Sequence, residues 1–192
     1  MSIFPKFHKK YGKPLFQSSV SNDLLNDFDG KIPKEIVSLW KEDGLGGYID
    51  GLIWTIDPRK YNEYLPKWIN IGSDGIPFLR SAFGDLIIYY NRKKEDNIVF
   101  INVRPQKKEY ICEKADDFFD NILLLNNDFF THIGKLNLFY EAKNIYGSLR
   151  NDQCYGYEPL LALGGKETVK NLKVLNFDVH LDILTQALKE PL

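Results

Sequence analysis

Arg80-Ser81-Ala82-Phe83-Gly84-Asp85-Leu86-Ile87-Ile88-Tyr89-Tyr90 decides the fold. Gly84-Asp85 is a turn signal, and Leu86–Tyr90 is an unbroken apolar and aromatic run. Bounded by turn residues, such a run reads as a buried strand. Ile76-Pro77-Phe78-Leu79 feeds the corner from the other side, and Gly84 tolerates the positive φ that a tight corner asks for. Arg80 and Asp85 flank the corner with opposite charges, so the spacing predicts an ion pair between them. Downstream, the charged stretch Arg92–Asn97 is a turn and Ile98–Val103 a third strand. Residues 76–103 thus predict an antiparallel meander, and the chain an α+β fold with helices on that sheet and a smaller mixed C-terminal lobe.

Upstream, Pro33–Glu42 predicts a helix, with proline in its first turn and Ile36, Leu39 and Trp40 on one face. Gly44-Leu45-Gly46-Gly47 stops it. Ser18–Asp29 predicts a shorter helix closed by Asp29-Gly30. Aromatics at 4, 7, 11 and 16 predict a segment anchored to the body, with its lysines left in water. Tyr48–Ile56 reads as a strand pair bent at Gly51. Pro58 opens a helix with a stripe at Tyr61, Tyr64, Leu65 and Trp68, bent at Pro66. The polar stretch Pro105–Lys108 marks a boundary between units 1–105 and 106–192. Beyond it come a short strand at Tyr110–Lys114, a helix at Ala115–Leu125, a further short helix within Leu136–Leu149 and a closing helix at His180–Leu188. Trp40, Trp54, Phe83 and Tyr90 are expected in the core, and Gly84 and Gly164 are expected to meet backbone requirements.

Composition bounds the function. With 192 residues, 44% of them hydrophobic and 27% charged, the chain is an ordinary globular protein. Its net charge of −1 offers no overall field for nucleic acid. Residues 1–105 carry 15 Lys/Arg against 13 Asp/Glu, and residues 106–192 carry 10 against 13. Lys6, Lys9, Lys10 and Lys13 interleave with aromatics, but no second basic patch reinforces them, and direct nucleic-acid binding is not expected. No apolar stretch follows those lysines as in a signal peptide, and no window reaches the ~20 apolar residues of a membrane span. Cys112 and Cys154 are too few for a disulfide framework. A cytoplasmic location is expected.

Catalytic motifs are wanting. Gly164-Gly165-Lys166 lacks the upstream glycine and following Ser/Thr of a phosphate loop, whose places Leu160 and Glu167 fill. His8, His132 and His180 form no metal-ligand pair, so His180 reads as a structural residue. No G-x-S-x-G occurs, and pairing Cys154 with a distant histidine is unspecific. Asp50, Asp57 and Asp85 on neighbouring strands are a candidate metal cluster, set against turn and ion-pair roles. No enzyme activity and no cofactor are expected.

Arg80-Ser81-Ala82-Phe83-Gly84-Asp85 resembles the core of the GAD-like domain, with serine in place of the more usual threonine. The block Gly47-Tyr48-Ile49-Asp50-Gly51-Leu52-Ile53-Trp54 resembles a second part of it. Ile32-Pro33, Trp40 and Gly44/Gly46/Gly47 resemble a pattern of the SUKH superfamily of bacterial immunity proteins. Further on, Gly156, Tyr157, Pro159, Leu161–Gly165, Asn171-Leu172 and His180-Leu181 resemble the C-terminal domain of the type VI secretion DNase-immunity family. Together these resemblances imply a cytoplasmic immunity protein that binds a cognate secreted toxin, a nuclease effector, and blocks it stoichiometrically. A regulatory or scaffold module of the SUKH type is the alternative. A nuclease presents a basic cleft, so the acidic residues Glu113, Asp116, Asp117 and Asp120 are the expected partner-binding patch. Their structural alternative is favourable placement in the first turn of a helix, about 0.3–1 kcal/mol each.

Overall fold

A computed structural model describes residues 2–65, 75–91, 96–105, 107–125, 128–133 and 135–187. The fold is α+β. Strands β1 (Leu15–Ser18), β2 (Leu45–Tyr48), β3 (Ile53–Thr55), β4 (Gly75–Ser81), β5 (Leu86–Tyr90), β6 (Ile98–Asn102) and β7 (Lys107–Cys112) form one antiparallel sheet in sequence order. Helices α1 (Pro5–Tyr11), α2 (Asn22–Phe28) and α3 (Lys34–Asp43) precede the meander. After it comes α4, a continuous run of Ala115–Asp117, a π turn Phe118–Ile122 and Leu123–Leu125. The chain continues through α5 (Leu136–Tyr146), a hairpin of β8 (Gln153–Tyr157) and β9 (Leu172–Asn176), and α6 (Phe177–Ala187).

The pairing of β5 with β6 explains why Leu86–Tyr90 is apolar without alternation. The register is Leu86 with Ile101, Ile87 with Phe100, Ile88 with Val99 and Tyr89 with Ile98. Successive side chains point to opposite faces, and both faces are covered. Ile87, Tyr89, Ile98 and Phe100 join a core with Phe4, Phe7, Trp40, Phe118 and Phe119. Leu86, Ile88, Val99 and Ile101 join a second core with Tyr61, Leu65, Phe177, Leu181 and Leu184. Each fully buried Leu, Ile or Phe contributes about 1.5–3 kcal/mol, so the meander stabilises both cores at once.

Most expected elements form. Ser21 caps α2 by accepting from Leu24 N at 3.2 Å, and α3 buries Ile36, Leu39 and Trp40. Several expectations need correction. The N-terminal segment is more than an anchored tail: Pro5 opens α1, which buries Phe4 and Phe7, but Phe16 is exposed and stacks over Trp54. Tyr90 is only partly buried, because it ends β5 at the sheet rim. Pro58 opens only a 3-10 turn, Pro58–Lys60, although Tyr61, Tyr64 and Leu65 are buried as expected. Pro66, Trp68 and Leu188, and part of the Arg92–Asn97 turn, lie outside the described residues.

The strand expected at Tyr110–Lys114 begins earlier, at Lys107, and pairs with β6 from Ile98 to Asn102. The polar stretch after Pro105 is therefore followed at once by a seventh strand of the same sheet. Both cores draw on residues from either side of it.

Candidate functional site: the sheet corner and its surroundings

The corner between β4 and β5 is held by one hydroxyl. Ser81 Oγ accepts from Phe83 N and Asp85 N, each at 3.1 Å, and donates to Asp85 Oδ2 at 3.2 Å. Ser81 N donates to Asp85 O at 2.8 Å, and Gly84 takes φ +84° in between. Only a short polar side chain at position 81 closes this turn, and threonine would offer the same hydroxyl. Phe83 is fully buried.

Asp85 is buried and fully committed. Val103 N donates to its Oδ1 at 3.2 Å and Arg104 Nη2 to its Oδ2 at 2.7 Å, while Arg104 Nη1 reaches Phe83 O at 2.9 Å. The expected Arg80–Asp85 pair does not form. Asp85 turns toward the β6–β7 connection, and Arg80, paired across the sheet with Leu86 and Trp54, spends its guanidinium on other groups.

Among the described residues, Arg80 is buried without a hydrogen-bonded carboxylate. It donates to Ser81 O at 3.2 Å and Asn151 O at 2.9 Å, and its Nε has no partner among the described residues. Its guanidinium lies 4.9 Å from the Trp54 ring and 4.6 Å from the Phe177 ring. Phe16, Trp54, Arg80 and Phe177 therefore form a column from the surface of β1 to α6. Burial lowers the Arg80 pKa to about 10. Cation–π contacts compensate part of that desolvation, by about 2 kcal/mol or more when water is excluded.

The other expected residues take structural positions. Trp40 and Trp54 are buried, and Gly47 lies under the Trp54 ring, where an added Cβ would come within 3.0 Å of it. Gly164 takes φ +86° after the 3-10 turn Leu161–Leu163, and Gly165 packs on the Pro159 and Leu160 carbonyls. His180, on α6, is buried against Gly156. Burial, then the Arg104 charge, lowers its pKa to about 4. Burial likewise pushes the Cys154 thiol up to about 12, with Arg80 and Arg104 opposing.

Asp50, Asp57 and Asp85 do not gather. Asp50 faces Tyr140 and Lys143 at the surface, Asp57 holds Arg59 at 2.7 Å, and Asp85 holds Arg104. Among the described residues no group of three or more His, Cys, Asp or Glu is placed to hold a metal.

The acidic residues divide. Glu113, Asp116 and Asp117 are exposed, and Tyr110, 57% exposed on β7, has its pKa raised by desolvation first and then by the nearby Glu113 and Asp117 charges. Asp120 differs from them, because its Oδ1 accepts from Phe7 N at 2.9 Å and caps the first turn of α1. A second site escaped the sequence reading. The Asp43 carboxylate is buried and accepts from Tyr48 OH and His8 Nε2, each at 2.5 Å, and from Lys13 Nζ. Burial pushes this carboxyl up, but the hydrogen bonds from Lys13, Tyr48 and His8 outweigh it and hold it below its ordinary value. Nothing in local spacing pairs residues 8, 13 and 43. The cluster arises because α1 packs beside the end of α3.

A family model of the GAD-like domain matches residues 2–103, more than half of the chain. The chain belongs to the GAD-like family. The Ser81–Asp85 corner, Trp54 and Arg80 all lie within that GAD-like part. Residues 113–187 match the model described as T6SS immunity protein Tdi1, C-terminal. The GAD-like protein also resembles the crystal structure of Atu4351 from Agrobacterium tumefaciens, with a TM-score of 0.78 and 20% identity over 96% of this chain and 89% of that one. At that identity the likeness speaks for the fold. No curated protein matches the chain significantly. Among the described residues, no helix is long and apolar enough to cross a membrane.

Proposed function

We propose that this GAD-like protein is a cytoplasmic immunity protein that binds a cognate type VI effector, a nuclease, and blocks it stoichiometrically without catalysis of its own. The match of residues 113–187 to the type VI immunity family carries this reading. In it, residues 1–105 and 106–192 are two sequence units sharing one sheet. Neutralisation requires nanomolar binding, roughly −12 kcal/mol, which a standard interface of about 1,600 Å² supplies when a few anchors are buried.

The exposed acidic flank suits a basic nuclease cleft. Glu113, Asp116 and Asp117 would steer association by charge, and Tyr110 beside them is of a residue type enriched at interface anchors. Asp120 contributes through α1 instead. The test is co-purification with the effector encoded beside the gene, followed by a nuclease assay of that effector with and without this protein. A one-to-one complex with loss of nuclease activity is expected. An effector that remains fully active and uncaptured overturns the reading.

A further inference from the structure

β1 stands at one end of the sheet and β7 at the other, and among the described residues each pairs with a single neighbouring strand. Open edges of this kind invite further contact, and natural proteins guard them with charge. β7 is guarded, because Lys107, Lys108 and Glu109 fill its first three positions and all are exposed. β1 is not. From Pro14 to Asn22 the chain carries no charged residue, and Leu15, Phe16, Gln17, Ser18 and Ser19 are all exposed. Leu15 is 43% and Phe16 54% exposed.

The backbone sets this patch out at a cost. The register against β2 slips between Leu15 and Ser18, and within the slip Phe16 holds φ +52°. A left-handed backbone is unfavourable for any residue with a Cβ, and glycine is the usual occupant of such a place. Phenylalanine lies there instead, stacked on the Trp54 ring at 6.3 Å with much of its surface in water. Asn151 Nδ2 donates to Phe16 O at 2.8 Å and holds the bulge. On either side of Asn151 in sequence, Arg150 and Asp152 are exposed, and neither enters a salt bridge with a described residue.

This surface is complementary to itself. About a two-fold axis every contact occurs twice, and a side chain near the axis meets its own copy. A charge there would face a like charge, which destabilises, whereas Leu15 and Phe16 bring none. Arg150 and Asp152 supply both signs at the flank, where one copy's arginine can face the other's aspartate and the reverse. We propose that the β1 surface, centred on Leu15 and Phe16, is a two-fold interface between two copies of this chain, closed by reciprocal Arg150–Asp152 pairs. The bulge interrupts the ladder, so the contact runs through side chains rather than through one continuous sheet. Its apolar centre is small, so the dimer is a weak, concentration-dependent one. β7 with Tyr110 lies at the other edge of the sheet, and the proposal stands whether or not the partner is a toxin.

The test is sedimentation velocity of the full chain from about 5 µM to about 500 µM, with a monomer–dimer Kd of about 100 µM or tighter expected. Phe16→Gly keeps the left-handed backbone without strain and removes the ring, and Leu15→Lys sets like charges at the axis. Each should weaken the dimer about tenfold or more. Arg150→Asp and Asp152→Arg should each weaken it alone, and the two together should restore it, which a merely structural role would not do. Lys108→Ser, on β7, should leave it unchanged. All variants are checked for a native amide spectrum, and the charge exchange decides the matter if a change in β1 unfolds the chain. A chain that stays monomeric throughout overturns the proposal. So does a dimer that survives Leu15→Lys and Phe16→Gly in folded chains, or a double exchange that fails to restore it.

Discussion

Arg104 Nη2 lies 2.7 Å from Asp85 Oδ2, across the connection that leads from β6 into β7, and both side chains are almost wholly buried. The pair ties the Ser81–Asp85 corner to the far end of the meander. Removing one member leaves the other charge buried and unpaired, which costs about 3–5 kcal/mol. Asp85→Ala should lower the unfolding free energy by that amount in urea denaturation. It also strips an acceptor from Val103 N and Ser81 Oγ. Arg104→Met, which removes the cation and keeps the volume, should cost as much or less. A loss below about 1 kcal/mol for Asp85→Ala would mean that the corner does not depend on the pair.

Glycine substitutions should separate backbone strain from collision. Gly84 holds φ +84° with only ordinary contacts around an added Cβ, so Gly84→Ala should cost about 1–2 kcal/mol, the price of a left-handed backbone. At Gly165 an added Cβ would stand 2.0 Å from Pro159 O and 2.8 Å from Leu160 O. Backbone atoms cannot swing aside as a side chain does, so Gly165→Ala should cost more than Gly84→Ala. Thermal unfolding of the two variants side by side decides this, and the reverse order would place the strain at the corner.

What the sequence disclosed follows physical range. The meander was legible because a turn signal, an apolar run and a second apolar run lie within thirty residues, and local periodicity suffices for that. Helix α3 was legible from Pro33, its apolar face and the glycines that follow. The partner of Asp85 was not, because the nearest opposite charge in sequence, Arg80, is taken up by backbone carbonyls and aromatic rings, and Asp85 is met instead by Arg104 across a strand pair. Nor was the Asp43 cluster, since it is made by α1 docking on α3. Asp120 looked like one of four equivalent surface acids, and its cap on α1 bridges 113 positions. Long-range docking of helices leaves no spacing to count.

Stability should fall with acid in two steps. The folded-state pKa of His180 is about 4 against an ordinary 6.5, lowered by burial and then by Arg104. Between those values the unfolded chain binds a proton that the folded chain refuses, so stability declines as pH falls through the window. At 1.36 kcal/mol per pH unit the full loss is about 3 kcal/mol. Asp43, whose carboxyl is held below its ordinary value, contributes stability above about pH 4 that is lost as pH falls through its folded-state value. Urea denaturation from pH 7 to pH 4 should show the decline in the unsubstituted chain and a much flatter profile in His180→Phe. Identical slopes would mean that the ring finds a proton acceptor in the folded state.

Charge reversal should split the acidic flank into two classes. Asp116 and Asp117 are exposed, and Asp117 accepts from Asn121 Nδ2 at 2.9 Å. Asp116→Lys and Asp117→Lys should leave the melting temperature within the range of surface changes, about ±0.5 kcal/mol. If the flank faces the effector, each should slow association and weaken binding, more so at low salt, where screening is least. Asp120→Lys should behave otherwise. It removes the acceptor of Phe7 N and sets a cation at the N-terminus of α1, a loss of about 0.5–2 kcal/mol for the cap alone. Its effect on binding should track its loss of stability rather than the salt concentration. Calorimetry and association rates at two salt concentrations distinguish the classes. Unchanged rates for Asp116→Lys and Asp117→Lys, with the effector still bound tightly, would remove this flank from the interface and leave Asp120 as a purely structural acid.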